Sequence, residues 1–289
     1  MKTHALERSL TVVCLLALAV PAASQEVIGR DGKVKVELVW AKTETKNYVI
    51  RYEKVIPEET VAKIGEELED ILVEYQRLFP LKLTEKFQTQ LLDNQNTFNQ
   101  VGGDVNHPGF YTPSNRTLVL LQREFKDLIP TTYHEAFHQY LDAFVGYDAP
   151  IPIWFNEGMA TYYEGMMRDE KSRAKKLDAT KIHTGKIRMV QGKIRTRQSV
   201  PLAKLIDADH ETFHERDEED LYYHQSFALV YYFMETTKGR GPKSFVHELQ
   251  KSKDPEAALE KLIGKDRKNL DKLEAHWKAF TAKVEIRTE

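Results

Sequence analysis

Two histidines stand four residues apart with a glutamate beside the first, in His134-Glu135-Ala136-Phe137-His138. No other segment constrains the chain as strongly. On an α-helix four residues turn about 400°, so the two imidazoles fall about 40° apart on one face, one turn from each other. Both can then reach a single ion, and the intervening glutamate is poised beside a metal-bound water. The flanks suit a buried helix: Tyr133, Phe137, Tyr140, Leu141 and Phe144 are apolar or aromatic, and Pro130-Thr131-Thr132 reads as the helix start. The lesser alternative for the pair taken alone is two partly buried, hydrogen-bonded histidines.

A catalytic zinc site needs a third protein ligand and an open fourth position. Glu157 is the candidate. It sits in a helical stretch among Ile153, Trp154, Phe155, Met159, Tyr162 and Met166. A carboxylate there is costly unless paired or metal-bound. Eighteen residues, 139 to 156, separate it from His138. They suffice to finish one helix, turn between Gly146 and Pro152, and bring a second helix back alongside. His134, His138 and Glu157 thus form a two-histidine, one-glutamate set for Zn2+.

The first 24 residues have the three parts of a secretory signal. Lys2 and Arg8 supply the positive start, Leu10 to Val20 is an apolar run of eleven residues, and Ala22 and Ser24 are small residues before Gln25. A stable membrane span wants about 20 apolar residues, so the reading is cleavage rather than anchoring. Cleavage removes Cys14, the only cysteine, together with Lys2, Arg8 and Glu7; the net charge moves from −2 to −3. Any metal must then be held by His, Asp or Glu. A thiol-free exported chain points to a bacterial periplasm, cell envelope or secreted setting. Acidic and basic residues nearly balance, which speaks against nucleic acid as a partner. Hydrophobic residues at 41% allow a real core.

Along the mature chain, Val34 to Trp40, Asn47 to Lys54, Phe87 to Leu92 and Thr117 to Leu121 read as strands, and Pro57 to Leu78 as an amphipathic helix. Gly102-Gly103, Pro108-Gly109 and Pro113-Ser114-Asn115 mark loops. From Pro130 onward the pattern is helical, clearest at Pro130 to Phe144, Ile153 to Arg168 and Leu221 to Lys238, with a last helix carrying Leu270, Leu273, Trp277 and Phe280. Lys238 to Pro242 reads as a helix stop. The stretch from Arg168 to Lys204 holds twelve Lys or Arg and three Asp or Glu, which reads as a solvated face. The fold class is α+β: a β-rich N-terminal lobe, about 30–145, and a mostly helical C-terminal lobe, about 150–285.

The pattern H-E-x-x-H, eighteen residues, then Asn156-Glu157-Gly158-Met159-Ala160 resembles the gluzincin metallopeptidases, the group of thermolysin and the zinc aminopeptidases. More closely, it is similar to exported bacterial peptidase-MA-like domains. Gly109-Phe110-Tyr111 and Tyr223-His224-Gln225-Ser226 are further points of similarity. The resemblance implies a zincin-like fold, with the active-site helix on an N-terminal mixed sheet, spanning residues 25–289 as one catalytic domain. It also implies Zn2+ as cofactor, Glu135 as general base and a peptide or protein substrate. In zinc aminopeptidases a helix opening Tyr-x-x-Gly carries the tyrosine that stabilises the tetrahedral intermediate. Here Ser226 replaces the glycine and Tyr223 is the candidate, with Tyr222 and His224 as rivals. His224 and Tyr111 are candidate substrate-binding residues. No Gly-x-Met-Glu-Asn segment is present to hold a free N-terminus, so the expectation is an endopeptidase that lays an extended chain against the strand Asn115 to Leu121. The alternatives are a zinc-binding scaffold without turnover and a zinc hydrolase of a cell-wall amide.

Overall fold

The computed structural model describes residues 24–28, 34–105, 107–168, 177–178, 184–214, 219–264 and 269–285. The expected signal segment lies outside them except for Ser24, as do all the basic residues between 169 and 183.

Six strands form one mixed sheet: β1 (Ser24–Ile28), β2 (Val34–Glu44), β3 (Tyr48–Glu53), β4 (Phe87–Leu92), β5 (Gly109–Thr112) and β6 (Thr117–Leu121). Their order is β1-β2-β3-β4-β6-β5. β3, β4 and β6 run parallel, while β1, β2 and β5 join antiparallel. The helices are α1 (Glu58–Leu78) and α2 (Gln95–Gln100) within the sheet region, then α3 (Phe125–Val145) and α4 (Ile153–Glu164). A short hairpin of β7 (Met167–Arg168) and β8 (Leu177–Asp178) follows. The remaining helices are α5 (Thr184–Arg195), α6 (Leu202–Ile206), α7 (His210–Phe213), α8 (Glu219–Thr237), α9 (Arg240–Ser252), α10 (Pro255–Ile263) and α11 (Leu270–Thr281). The α+β reading therefore holds, with the sheet first and the helices after it. Among the described residues no helix is long and apolar enough to cross a membrane.

Side chains of a strand point alternately to its two faces, and β6 shows what that does here. Leu118 and Leu120 enter the main core beneath α1 and α3, while Val119 and Leu121 enter a small second core with Trp40, Leu92 and Phe98. Every residue of β6 is buried. It lies between β4 and β5, so it has no free edge. This corrects the expectation that Asn115 to Leu121 offers itself to a substrate: the edge strand is β5, a segment the turn residues around it had marked as loop.

Helix α3 also differs from its sequence outline. It begins at Phe125, and Pro130 lies inside it. A proline so near the start forfeits one i→i−4 hydrogen bond, too little to prevent the extra turn when Leu128 is fully buried. The helix is fastened along its length. Tyr75 Oη donates to the Tyr133 carbonyl at 2.5 Å, the Tyr133 hydroxyl donates to Glu67, and the Tyr140 hydroxyl donates to the Phe79 carbonyl. Gln139 Nε2 donates to the carbonyls of Gln88 and Arg116, each at 2.9 Å, tying α3 to β4 and to the turn before β6. Its last turn is closed by α9: Gln250 Nε2 donates to Phe144 O at 2.6 Å, and the Lys253 ammonium donates to Val145 O. These are carbonyls that a helix end leaves unsatisfied. Helix α4 stops at Gly165 rather than running on to Arg168.

Candidate metal centre

Helix α3 carries His134 and His138, one turn apart, with ring centroids 4.9 Å from each other. Helix α4 returns beside it and presents Glu157. The Oε2 of that glutamate lies 3.2 Å from His134 Nε2 and 3.6 Å from His138 Nε2. One ligand atom from each of the three residues lies within 4.8 Å of the others, so the group could hold a metal ion.

The donor chemistry fits a borderline-soft divalent cation such as zinc. Each imidazole turns Nε2 inward and Nδ1 towards an acceptor. His134 Nδ1 faces Glu164 Oε2 at 3.2 Å, and His138 Nδ1 faces Asn156 Oδ1 at 2.8 Å. An acceptor at Nδ1 holds the proton there and leaves the Nε2 lone pair for an ion. Glu164 is held in turn by Lys186 of α5, whose Nζ lies 3.2 Å from both carboxylate oxygens. Burial disfavours charge on all three facing groups, and their mutual attraction overrides it. His134 is pushed up to about 10 by Glu157 and Glu164, and His138 is raised by Glu157. Glu157 is held well below the usual carboxylate range by the two imidazoles.

Glu135, on the same helix, faces the same cleft and reaches the sheet edge. Its Oε2 accepts the backbone N–H of Tyr111 at 2.9 Å. That N–H is available because of the β5 ladder. Leu121 N donates to Pro108 O at 2.8 Å, and Phe110 pairs with Val119. Antiparallel partners bond at alternate residues, so Gly109 and Tyr111 turn their backbone groups outward. The Tyr111 hydroxyl donates to Asp142 Oδ2 at 2.9 Å. β5 can approach this closely because residue 109 is glycine: a β-carbon there would stand 2.7 Å from Thr131 Cγ2 and 3.3 Å from Glu135 Cγ.

These groups line one open cleft of about 1360 Å³ between the β5 edge and the helical lobe. His134, Glu135, His138, Glu157, Tyr111, Tyr223 and His224, the seven sequence candidates, all line it. Tyr222 does not. It is fully buried, packed on Phe213 with Lys204 over its ring. Tyr223 packs on the rings of Phe213 and His214. Burial and the Lys186 charge hold His224 below the usual imidazole value. Sequence reasoning left Asn156, Glu164, Asp142 and Lys186 without roles. The seven-residue interval from Glu157 to Glu164, and the four from His138 to Asp142, were available as signals; for Lys186 there was none.

A family described as a protein of unknown function (DUF1570) matches residues 128–256, which include the whole His134/His138/Glu157 set. A comparison with curated proteins found no match. Among solved structures the chain is similar to an aminopeptidase N family protein from Idiomarina loihiensis, at 14% identity and a TM-score of 0.48. The match covers 86% of this chain and 47% of that one, so the chain spans about half the length of that protein.

Proposed function

We propose that the chain is a zinc-dependent peptidase, an exported endopeptidase of the gluzincin kind. The observation that carries this reading is the convergence of His134 Nε2, His138 Nε2 and Glu157 Oε2, with Glu135 on the same helix, in a cleft bordered by a strand edge. Zinc held by those three residues would polarise a scissile carbonyl and lower the pKa of a bound water towards about 7.

The chain's own groups supply the rest. Glu135 takes the proton of the attacking water and returns it to the leaving amine. Tyr223 donates to the negative charge that develops on the substrate carbonyl oxygen, with His224 as the alternative donor. Where α4 crosses α8, Gly158 lies against Ser226. Tyr223, one turn earlier, lines the cleft, which supports the match of Tyr223-x-x-Ser226 to Tyr-x-x-Gly. The β5 edge borders the cleft and is where an extended substrate would add as a strand.

The deciding experiment pairs metal quantification with digestion of a proteome-derived peptide library, comparing wild type with Glu135→Gln. The expected result is one zinc per chain in both proteins and cleavage by wild type alone, since loss of a general base costs about 10²- to 10⁴-fold. Absence of stoichiometric zinc, or equal cleavage by both, would sink the reading. Export is tested separately: N-terminal sequencing of the exported protein should begin at Gln25.

A further inference from the structure

Glu135 is fastened to a short edge strand, whose Phe110 packs on Phe98 on the opposite face. β5 is four residues long and pairs on one side only, with β6. Short edge strands of this kind are the weakly held part of a sheet. Yet the Glu135 carboxylate takes its orientation from the Tyr111 N–H, so any drift of β5 relative to α3 moves that carboxylate. Hydrolysis tolerates such drift poorly: a misplacement of about 1 Å can cost about a hundredfold.

Tyr111 itself supplies the second fastening. Its backbone bonds Glu135 and its hydroxyl bonds Asp142, both at 2.9 Å. These acids are seven residues apart on α3, two turns or about 10 Å of rise. One residue of β5 thus grips the helix at two levels, while Gly109 lies directly against Thr131 and Glu135. The His138 and Arg116 charges favour an ionised Asp142, while two other effects oppose it. It stands in the last turn of α3, where the helix dipole disfavours an anion, and burial raises its carboxyl pKa. Helix stability does not account for a carboxylate at this point. The proton of the Tyr111 hydroxyl is committed to Asp142.

We propose that Tyr111 is the positioning residue of the peptidase reaction: its hydroxyl, anchored on Asp142, locks β5 against α3 and so aims the Glu135 carboxylate. This rests on the peptidase reading above. Tyr111→Phe deletes one oxygen and Asp142→Ala removes the anchor, whereas Asp142→Asn keeps an oxygen that can accept the hydroxyl.

The test measures kcat and KM on a peptide that wild type cleaves, together with zinc content and amide hydrogen exchange over residues 109–112. Tyr111→Phe and Asp142→Ala should each lower kcat about tenfold, with KM within about twofold and zinc unchanged. The double variant should be no worse than the worse single one, and Asp142→Asn should stay within about threefold of wild type. Exchange at the Tyr111 amide should speed up in Tyr111→Phe and Asp142→Ala but not in Asp142→Asn. A Tyr111→Phe protein with wild-type kcat, or additive losses in the double variant, would overturn the proposal. Should Asp142→Ala fail to fold, Tyr111→Phe and Asp142→Asn decide it. Should wild type cleave no peptide, the peptidase reading falls, and exchange alone still judges the lock: unchanged Tyr111 exchange in Tyr111→Phe refutes it.

Discussion

Gly158 and Ser226 meet backbone to backbone where α4 crosses α8: a β-carbon at Gly158 would stand 2.7 Å from the Ser226 carbonyl oxygen. The position follows Glu157 directly, so the helix that presents Glu157 is seated on α8 by a residue with no side chain. Gly158→Ala must push the helices apart. Overpacking of this kind costs about 1–3 kcal/mol. Thermal unfolding should therefore show a clear drop in melting temperature, accompanied by weaker zinc retention. A Gly158→Ala protein that melts with wild type would mean the crossing is looser than described.

Glu164 should matter to the ion without touching it. Its Oε2 faces His134 Nδ1, and loss of such an outer partner typically weakens metal affinity about 10- to 100-fold. Chelator competition on Glu164→Gln should report a loss in that range. An unchanged affinity would indicate that His134 needs no partner at Nδ1.

Three neighbouring residues on α8 should separate cleanly. Tyr223→Phe should lower kcat about 10²- to 10³-fold with little change in KM or zinc content, as for removal of an oxyanion donor. Tyr222→Phe should leave turnover intact and be neutral or stabilising. Its hydroxyl is buried and finds no hydrogen-bond partner among the described residues, so the phenol gains nothing from it. If His224→Ala carries the rate defect and Tyr223→Phe does not, the donor is His224.

Glu53 gives the stability a pH dependence of predictable sign. It is 8% exposed on β3, and its Oε1 accepts Asp93 N at 3.2 Å. Burial, and then the Asp93 charge, raise its pKa above 4.5, against the pull of that backbone bond. A raised carboxyl binds its proton more tightly folded than unfolded. Its favourable contribution is therefore complete below the unfolded pKa and is lost as pH rises through the folded one. Glu53→Gln keeps an accepting oxygen and carries no charge. It should melt above wild type at pH 7, and the gap should close as pH falls to about 4. A gap that widens on acidification would contradict this.

How much of this was legible in the chain differs from residue to residue. His134, His138 and Glu157 could be placed because helical spacing fixes which side chains share a face, and because a glutamate among Trp154, Phe155 and Met159 demands a reason. Asp142 and Glu164 stand at helical intervals from His138 and Glu157, a weaker signal, since acids so spaced look the same on a wet face as beside a metal. β5 was hidden because Gly109 to Thr112 is flanked by Pro108 and Pro113, and four residues show no period. The exchange of roles between β5 and β6 lay beyond local pattern altogether. Five buried residues in Thr117–Leu121 announce a strand, but its outer edge is covered by β5, which folds onto it as the preceding arm of an antiparallel hairpin.

The bonds from α9 to the last turn of α3 set an order on how this protein comes into being. Gln250 and Lys253 reach back 106 and 108 residues to the carbonyls of Phe144 and Val145. The helix bearing both histidines is made in the middle of the chain, yet its closing contacts are made near the end. A chain made only as far as the sheet and the first helices holds α3 without those closing bonds. Cutting between the β-rich and helical lobes would part His134 and His138 from Glu157, so neither half would hold the whole set.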